Sequence, residues 1–289
     1  MKIAEIARET ERMVKEGHGE YIRVNGINIR YRVRGSGFPV VLLHGLGGFL
    51  EMWWLNVVDL SQKYKVYAVD LPGHGLSDKA VNSYDLDSAT EYASGIIEAL
   101  GLKQANLIGH SMGGAISANL AAKSPGLIQR LVLVDSAGLT AYVPLRFRTF
   151  AVPFWGRLLI KLAERIFYKT GIRYLFYDKQ LADEIVQLFV NSSGAIWPEE
   201  EVLMNLSKRN LGLKGIRRES LVTGKLPLIQ CPTLFVHGAQ DSLVPLKRVS
   251  DSFRLVNGAA VRIIEECGHF PQVEQATAFN KILMEFFKS

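Results

Sequence analysis

The sequence predicts an α/β fold organised around a mostly parallel sheet. Three observations carry that prediction. Short runs that are apolar at every residue alternate with amphipathic stretches of helical period, an antiparallel hairpin precedes them, and one long helical stretch interrupts the alternation. Strands without polar alternation are buried on both faces, which is how a parallel sheet covered by helices reads.

In chain order, residues 2–16 read as a short helix with Ile3, Ile6, Ala7 and Met13 on one side. Strands follow at 21–24 and 27–33, joined at Asn25-Gly26. That pair is the strongest short hairpin signal, because both turn positions need positive φ. The apolar runs then fall at 40–43, 66–69, 105–108, 131–134, 233–236 and 261–264, with helical patterns around 50–60, 87–100, 112–123, 246–256 and 272–287. From about 139 to 225 the pattern is helix after helix, with no buried strand. An all-helical insertion at that point predicts a cap over the C-terminal edge of the sheet, where ligands bind in such folds. The expected organisation is a core of residues 1–138 and 226–289 and a helical cap of 139–225.

Composition narrows the function classes. A chain of 289 residues with 48% hydrophobic content can bury a sizeable core and is not disordered. Two cysteines, Cys231 and Cys267, make no disulfide framework and sit in no zinc-binding spacing, so no metal is expected. The net charge of +6 is too small to indicate nucleic acid. Most of that excess lies in 142–178, where Arg146, Arg148, Arg157, Lys161, Arg165, Lys169 and Arg173 face only Glu164 and Asp178. The segment is read as a solvated helix face in preference to a surface drawn to anionic lipid. The first residues carry charges throughout, with no apolar signal core, and no run approaches the ~18 residues of a membrane-spanning helix. The expectation is a cytoplasmic protein with reduced thiols.

The sharpest motif is Gly109-His110-Ser111-Met112-Gly113-Gly114, between the 105–108 strand and the 112–123 helix. As a bare string Gly-x-Ser-x-Gly is weak; at a strand-to-helix junction it is the context of a nucleophile elbow. A serine on that turn needs glycine two residues before and two after, and the following helix aims its free N–H groups at the reacting centre. A hydroxyl becomes nucleophilic only when a base takes its proton. The candidate base is His269 in Glu266-Cys267-Gly268-His269-Phe270-Pro271, at the same sheet edge. His18, His44, His74, His110 and His237 all have structural explanations as linker, strand-end or turn residues. The imidazole needs a carboxylate to hold its tautomer. Asp241, after the 233–236 strand, is preferred to its rival Asp135, which ends the 131–134 strand; Asp70 is read as ordering the Pro72–Gly75 loop. Oxyanion donors are expected from the Met112 N–H and, in His44-Gly45-Leu46-Gly47-Gly48, the Leu46 N–H. That loop lacks the Gly-x-Gly-x-x-Gly pattern and the lysine of a phosphate cradle, so nucleotide binding is not expected.

Taken together, LLHGLGG, VDLPGHGLSD, LIGHSMGG, LVLVDSAG, FVHGAQDSLVP and ECGHFPQVEQ, in that order, resemble the α/β-hydrolase superfamily over about residues 20–288. The resemblance implies the α/β-hydrolase fold with a helical cap between the sixth and seventh strands, no cofactor, and the triad Ser111, Asp241 and His269. Relatives that cleave carbon–halogen bonds or epoxides carry Asp at the elbow, so serine disfavours those reactions. Ring-cleavage C–C hydrolases often read Gly-His-Trp where this chain has Gly268-His269-Phe270-Pro271, more similar to simple esterases and cofactor-free haloperoxidase-like enzymes. The leading expectation is a serine carboxylesterase taking a small hydrophobic ester, with Phe147, Phe150, Phe154, Trp155, Phe167, Tyr168, Tyr174, Phe176, Tyr177 and Trp197 available for an apolar acyl pocket. C–C hydrolysis, or a small-ligand receptor on the same fold, are the alternatives.

Overall fold

The computed structural model describes residues 19–79, 83–148, 171–192 and 200–288. The helix expected at 2–16 lies outside these residues, as do His18, Phe150, Phe154, Trp155, Phe167, Tyr168, Trp197 and four of the basic residues of 142–178. The first half of the chain forms β1 (Glu20–Val24), β2 (Ile27–Arg34), β3 (Pro39–Leu43), α1 (Trp54–Leu60), β4 (Lys65–Val69), α2 (Leu86–Ala99), β5 (Ala105–His110), α3 (Met112–Lys123) and β6 (Ile128–Val134). Then come α4 (Leu145–Arg148), α5 (Lys179–Ser192), α6 (Glu200–Asn210), β7 (Leu211–Gly212) and β8 (Gly215–Ile216). The core resumes with β9 (Thr233–Gly238), α7 (Leu246–Val249), β10 (Ala260–Ile264), α8 (Pro271–Glu274) and α9 (Ala276–Lys288).

Eight strands make one sheet in the order β1-β2-β4-β3-β5-β6-β9-β10. The β1–β2 and β2–β4 pairs are antiparallel and the rest parallel. Asn25 and Gly26 turn the hairpin with φ of 48° and 86°, as their residue types require. Because strand side chains alternate, each central strand feeds two cores. Val41, Leu43, Leu107, Leu131 and Leu133 pack under Ile96, Ile97 and Leu120 of α2 and α3. Val40, Leu42, Ile108, Val132 and Val134 pack under Leu60, Phe279 and Leu283 of α1 and α9, and under Trp53 just before α1. Each large side chain so buried contributes roughly 1.5–3 kcal/mol.

Four local expectations needed correction. The strand expected to be buried on both faces at 261–264 is the sheet edge, and Ile263 is 37% exposed, since β10 has only β9 beside it. The helix expected over 246–256 is one turn of α7 followed by 3₁₀ turns at Ser250–Leu255, and that over 272–287 breaks between α8 and α9 at Gln275 (φ −128°, ψ 44°). Among the described residues, the insertion between β6 and β9 holds the helices α4, α5 and α6 and also the small β7–β8 ribbon. Gly215 permits that ribbon: it has φ 124°, and a Cβ there would lie 1.8 Å from the Ala141 carbonyl oxygen. Phe176, Ala182 and Ile185 of the insertion pack with Phe49, Leu55, Phe270 and Val273 in a third, smaller cluster. Among the described residues no helix is long and apolar enough to cross a membrane.

Candidate active site

Parallel strands bring their C-terminal ends to one edge, and five residues of interest follow five of them: His44 after β3, Ser111 after β5, Asp135 after β6, Asp241 after β9 and His269 after β10. Ser111 occupies a left-handed backbone conformation (φ 53°, ψ −115°) that costs a residue with a Cβ about 1–3 kcal/mol. Its turn is held by Ser111 N–H to Val134 C=O (2.9 Å) and Ala137 N–H to Ser111 C=O (3.0 Å). The flanking glycines are steric necessities: a Cβ at Gly109 would stand 2.3 Å from the Gly113 carbonyl oxygen, and one at Gly113 2.4 Å from that of Leu43. The nucleophile-elbow geometry expected from the motif is therefore present.

The three side chains chosen from the sequence meet. His269 Nε2 lies 3.0 Å from Ser111 Oγ, and His269 Nδ1 2.7 Å from Asp241 Oδ2. With Nδ1–H donating to the carboxylate, Nε2 is left to accept the serine proton. Ser111, Asp241 and His269 are 7%, 4% and 2% exposed, so water competes little for these bonds. Asp241 Oδ1 accepts the N–H groups of Leu243 (2.7 Å) and Val244 (2.9 Å). Burial alone would raise the Asp241 pKa; the His269 charge and hydrogen bond, with the Asp135 proton, outweigh it and hold the group well below the usual carboxylate range.

The rival acid is close by but in the opposite state. Asp135, fully buried with φ 41°, accepts the Gly238 N–H on Oδ1 (3.1 Å) and faces His237 Nδ1 at 3.5 Å. Burial first, then the charge of Asp241, push its pKa well above the carboxylate range, so Asp135 carries a proton where Asp241 does not. Asp135, His237 and Asp241 place three potential metal-ligand atoms within 4.8 Å of one another. Two of the three side chains are engaged elsewhere: His237 Nε2–H donates to the Val244 carbonyl (2.8 Å), and Asp241 accepts from His269 and two amides.

The loop after β3 is set by an imidazole that sequence reading treated as structural. His44 Nδ1–H donates to the Gly45 carbonyl (2.8 Å), and its Nε2 accepts the Leu71 N–H (3.0 Å), which fixes the tautomer. Gly48 N–H binds the same Gly45 oxygen (3.0 Å). Across a trans peptide the N–H opposes the carbonyl, so anchoring Gly45 C=O on one side turns the Leu46 N–H to the other. Gly45 itself lies against Ser111, since a Cβ there would come 2.9 Å from Ser111 Cβ. Among the described residues, neither Leu46 N–H nor Met112 N–H has a hydrogen-bond partner. Asp70 does more than order the Pro72–Gly75 loop. It accepts Leu50 N–H (2.7 Å) and Leu76 N–H (2.9 Å) and pairs with Arg30, which also binds Glu51, so a buried ion network ties that loop to the one following β3. Arg30 and Glu51 gave no sequence signal, being single charges in the second strand of the hairpin and in a short turn.

Burial keeps three imidazoles neutral: His44 is pushed down to about 4, and His74 and His110 to about 3. Such a group is protonated in the unfolded chain below pH 6.5 but not in the folded one, so it weakens folding as pH falls. The deficit of His74→Phe relative to wild type, measured by urea unfolding, is therefore expected to shrink by about 2 kcal/mol between pH 7 and pH 5. A deficit equal at both pH values would contradict a neutral His74.

Comparison with known proteins gives the same fold. A family model for the alpha/beta hydrolase fold matches residues 39–276. The chain is 30% identical over 276 residues to 2-hydroxymuconate semialdehyde hydrolase of Pseudomonas sp. (strain CF600), covering 93% of each chain. It is also 30% identical over 267 residues to the dihydrolipoyllysine-residue acetyltransferase component of the acetoin cleaving system of Cupriavidus necator, covering 91% of this chain and 67% of that protein. The structure of a meta-cleavage product hydrolase from Pseudomonas fluorescens IP01 superimposes with a TM-score of 0.74 at 26% identity, over 93% of this chain and 97% of that one.

Proposed function

The chain belongs to the α/β-hydrolase-fold family, and on that premise we propose that it is a serine hydrolase cleaving uncharged carboxylic esters through an acyl-enzyme. The observation that carries the reading is the continuous hydrogen-bonded chain from Ser111 Oγ through the His269 ring to Asp241. Ser111 Oγ attacks the ester carbonyl while His269 Nε2 takes its proton. The oxyanion forms against the N–H groups of Leu46 and Met112, each such donor being worth about 10²–10³ in rate. His269 then protonates the leaving alcohol and activates the water that releases the acyl group, while Asp241 stabilises the imidazolium. Residues 139–225 serve as a cap that encloses the acyl group.

A second reading, hydrolysis of a C–C bond in ring-cleavage products, is favoured by the names of the relatives alone, above all the Pseudomonas semialdehyde hydrolase. One panel decides between them: p-nitrophenyl esters graded by acyl length, with a ring-cleavage dienoate included. Rapid multiple turnover on the esters, with kcat/KM rising as the acyl chain becomes more apolar, is expected. A dienoate turned over faster than every ester would move the assignment to the C–C reaction, and a single slow turnover of all substrates would make the protein a receptor.

A further inference from the structure

The loop carrying His269 is held from two sides. On the sheet side, His110 Nε2–H donates to the His269 carbonyl (2.7 Å). On the other side runs residues 174–178, part of the chain inserted between β6 and β9. Leu175 C=O accepts the His269 N–H (2.8 Å), and Tyr174 C=O accepts the hydroxyl of Ser242, next to Asp241 (3.2 Å). Phe176 stacks on Phe270 with ring centroids 4.8 Å apart. The two backbones are so close that a Cβ on Gly268 would stand 2.3 Å from the Leu175 carbonyl oxygen.

One carboxylate clamps the two segments together. Glu274 Oε1 accepts the N–H groups of Gly268 (2.9 Å) and Phe270 (3.3 Å), the residues on either side of His269. Its Oε2 accepts those of Tyr177 (2.6 Å) and Asp178 (3.3 Å). A backbone N–H cannot turn away to find another partner as a side chain can, so four such bonds from two separate segments fix those segments relative to each other. The base loop needs this help. It is irregular, with Glu266 at φ 52°, yet the His269 ring must reach Asp241 and Ser111 at once.

We infer that Glu274 is a positioning residue that makes the reactivity of His269 depend on the docking of residues 174–178. The inference rests on the serine-hydrolase reading and deepens it: the base is held in place only while the inserted segment lies on its loop. A displacement of about 1 Å in such a group can cost on the order of 100-fold in rate.

Glu274→Gln tests this with little change of size. The amide has one acceptor oxygen, so its NH₂ must oppose one of the two pairs of N–H donors. The readout is the rate at which a fluorophosphonate labels Ser111, together with the final number of sites labelled and kcat and KM on a short p-nitrophenyl ester. Expected is full final labelling, a labelling rate and kcat lowered about 10- to 100-fold, and a KM within about threefold. Phe176→Ala, which disturbs the segment from its own side, should slow labelling in the same way. The double variant should be no slower than the slower single, because both break one coupling. Multiplying losses would overturn the inference, since they would mean two independent structural injuries. So would a Glu274→Gln protein labelled at the wild-type rate; if that variant does not fold, Phe176→Ala and Ser242→Ala labelled at the wild-type rate would overturn it instead. A wild-type protein that is not labelled at all would overturn the hydrolase reading and this inference with it.

Discussion

Ser111→Ala is expected to lower kcat on a p-nitrophenyl ester by on the order of 10⁴–10⁶-fold while leaving the protein folded. No other hydroxyl stands at hydrogen-bond distance from His269 Nε2 among the described residues, so the base has no substitute proton to take. The fold should tolerate the change because alanine and serine bear the same strain at φ 53°, and the turn is held by backbone bonds from Ser111 that the substitution keeps. What is lost in stability is one hydrogen bond to a buried imidazole, about 1 kcal/mol. Turnover measured beside a thermal unfolding curve checks both halves, and ester cleavage near the wild-type rate would remove Ser111 from the mechanism.

Asp241→Asn and Asp135→Asn should behave as opposites although the two carboxyls are near neighbours. At position 241 the amide would present an NH₂ to His269 Nδ1 and hold the ring in the wrong tautomer, an error that costs about 10⁴-fold in kcat. Position 135 already holds a neutral acid, so an amide replaces one uncharged group with another, and its carbonyl can still accept the Gly238 N–H. A loss within about tenfold is expected there. The reverse pattern would make Asp135 the acid partner of the base and leave Asp241 a loop-capping residue.

Glu274 and His44 show where sequence reading stopped. Both work through the backbone of other segments, and nothing in the residues around them announces which N–H or carbonyl they will meet. Glu274 is a single acid at the end of a four-residue helix, and its partners Tyr177 and Asp178 lie nearly a hundred residues earlier. His44 beside a glycine reads as a strand end until its two ring nitrogens are seen to fix Gly45 and Leu71.

The strands, the hairpin turn and the elbow were legible because each is a local demand on residue type. Apolar runs mark strands buried on both faces, Asn25-Gly26 supplies two positive φ angles, and Gly109 and Gly113 leave no room for a Cβ. That Ser111 and His269 would meet followed, since parallel strands deliver their loops to one edge whatever the details of packing. The ionisation of the two buried aspartates could be decided only in three dimensions. They occupy equivalent places at the ends of adjacent strands, and the difference between a charged Asp241 and a protonated Asp135 arises from which of them the imidazole and the loop amides reach. Ionisation in a buried site depends on distances of a few ångströms between chain-distant groups, and no local pattern encodes those.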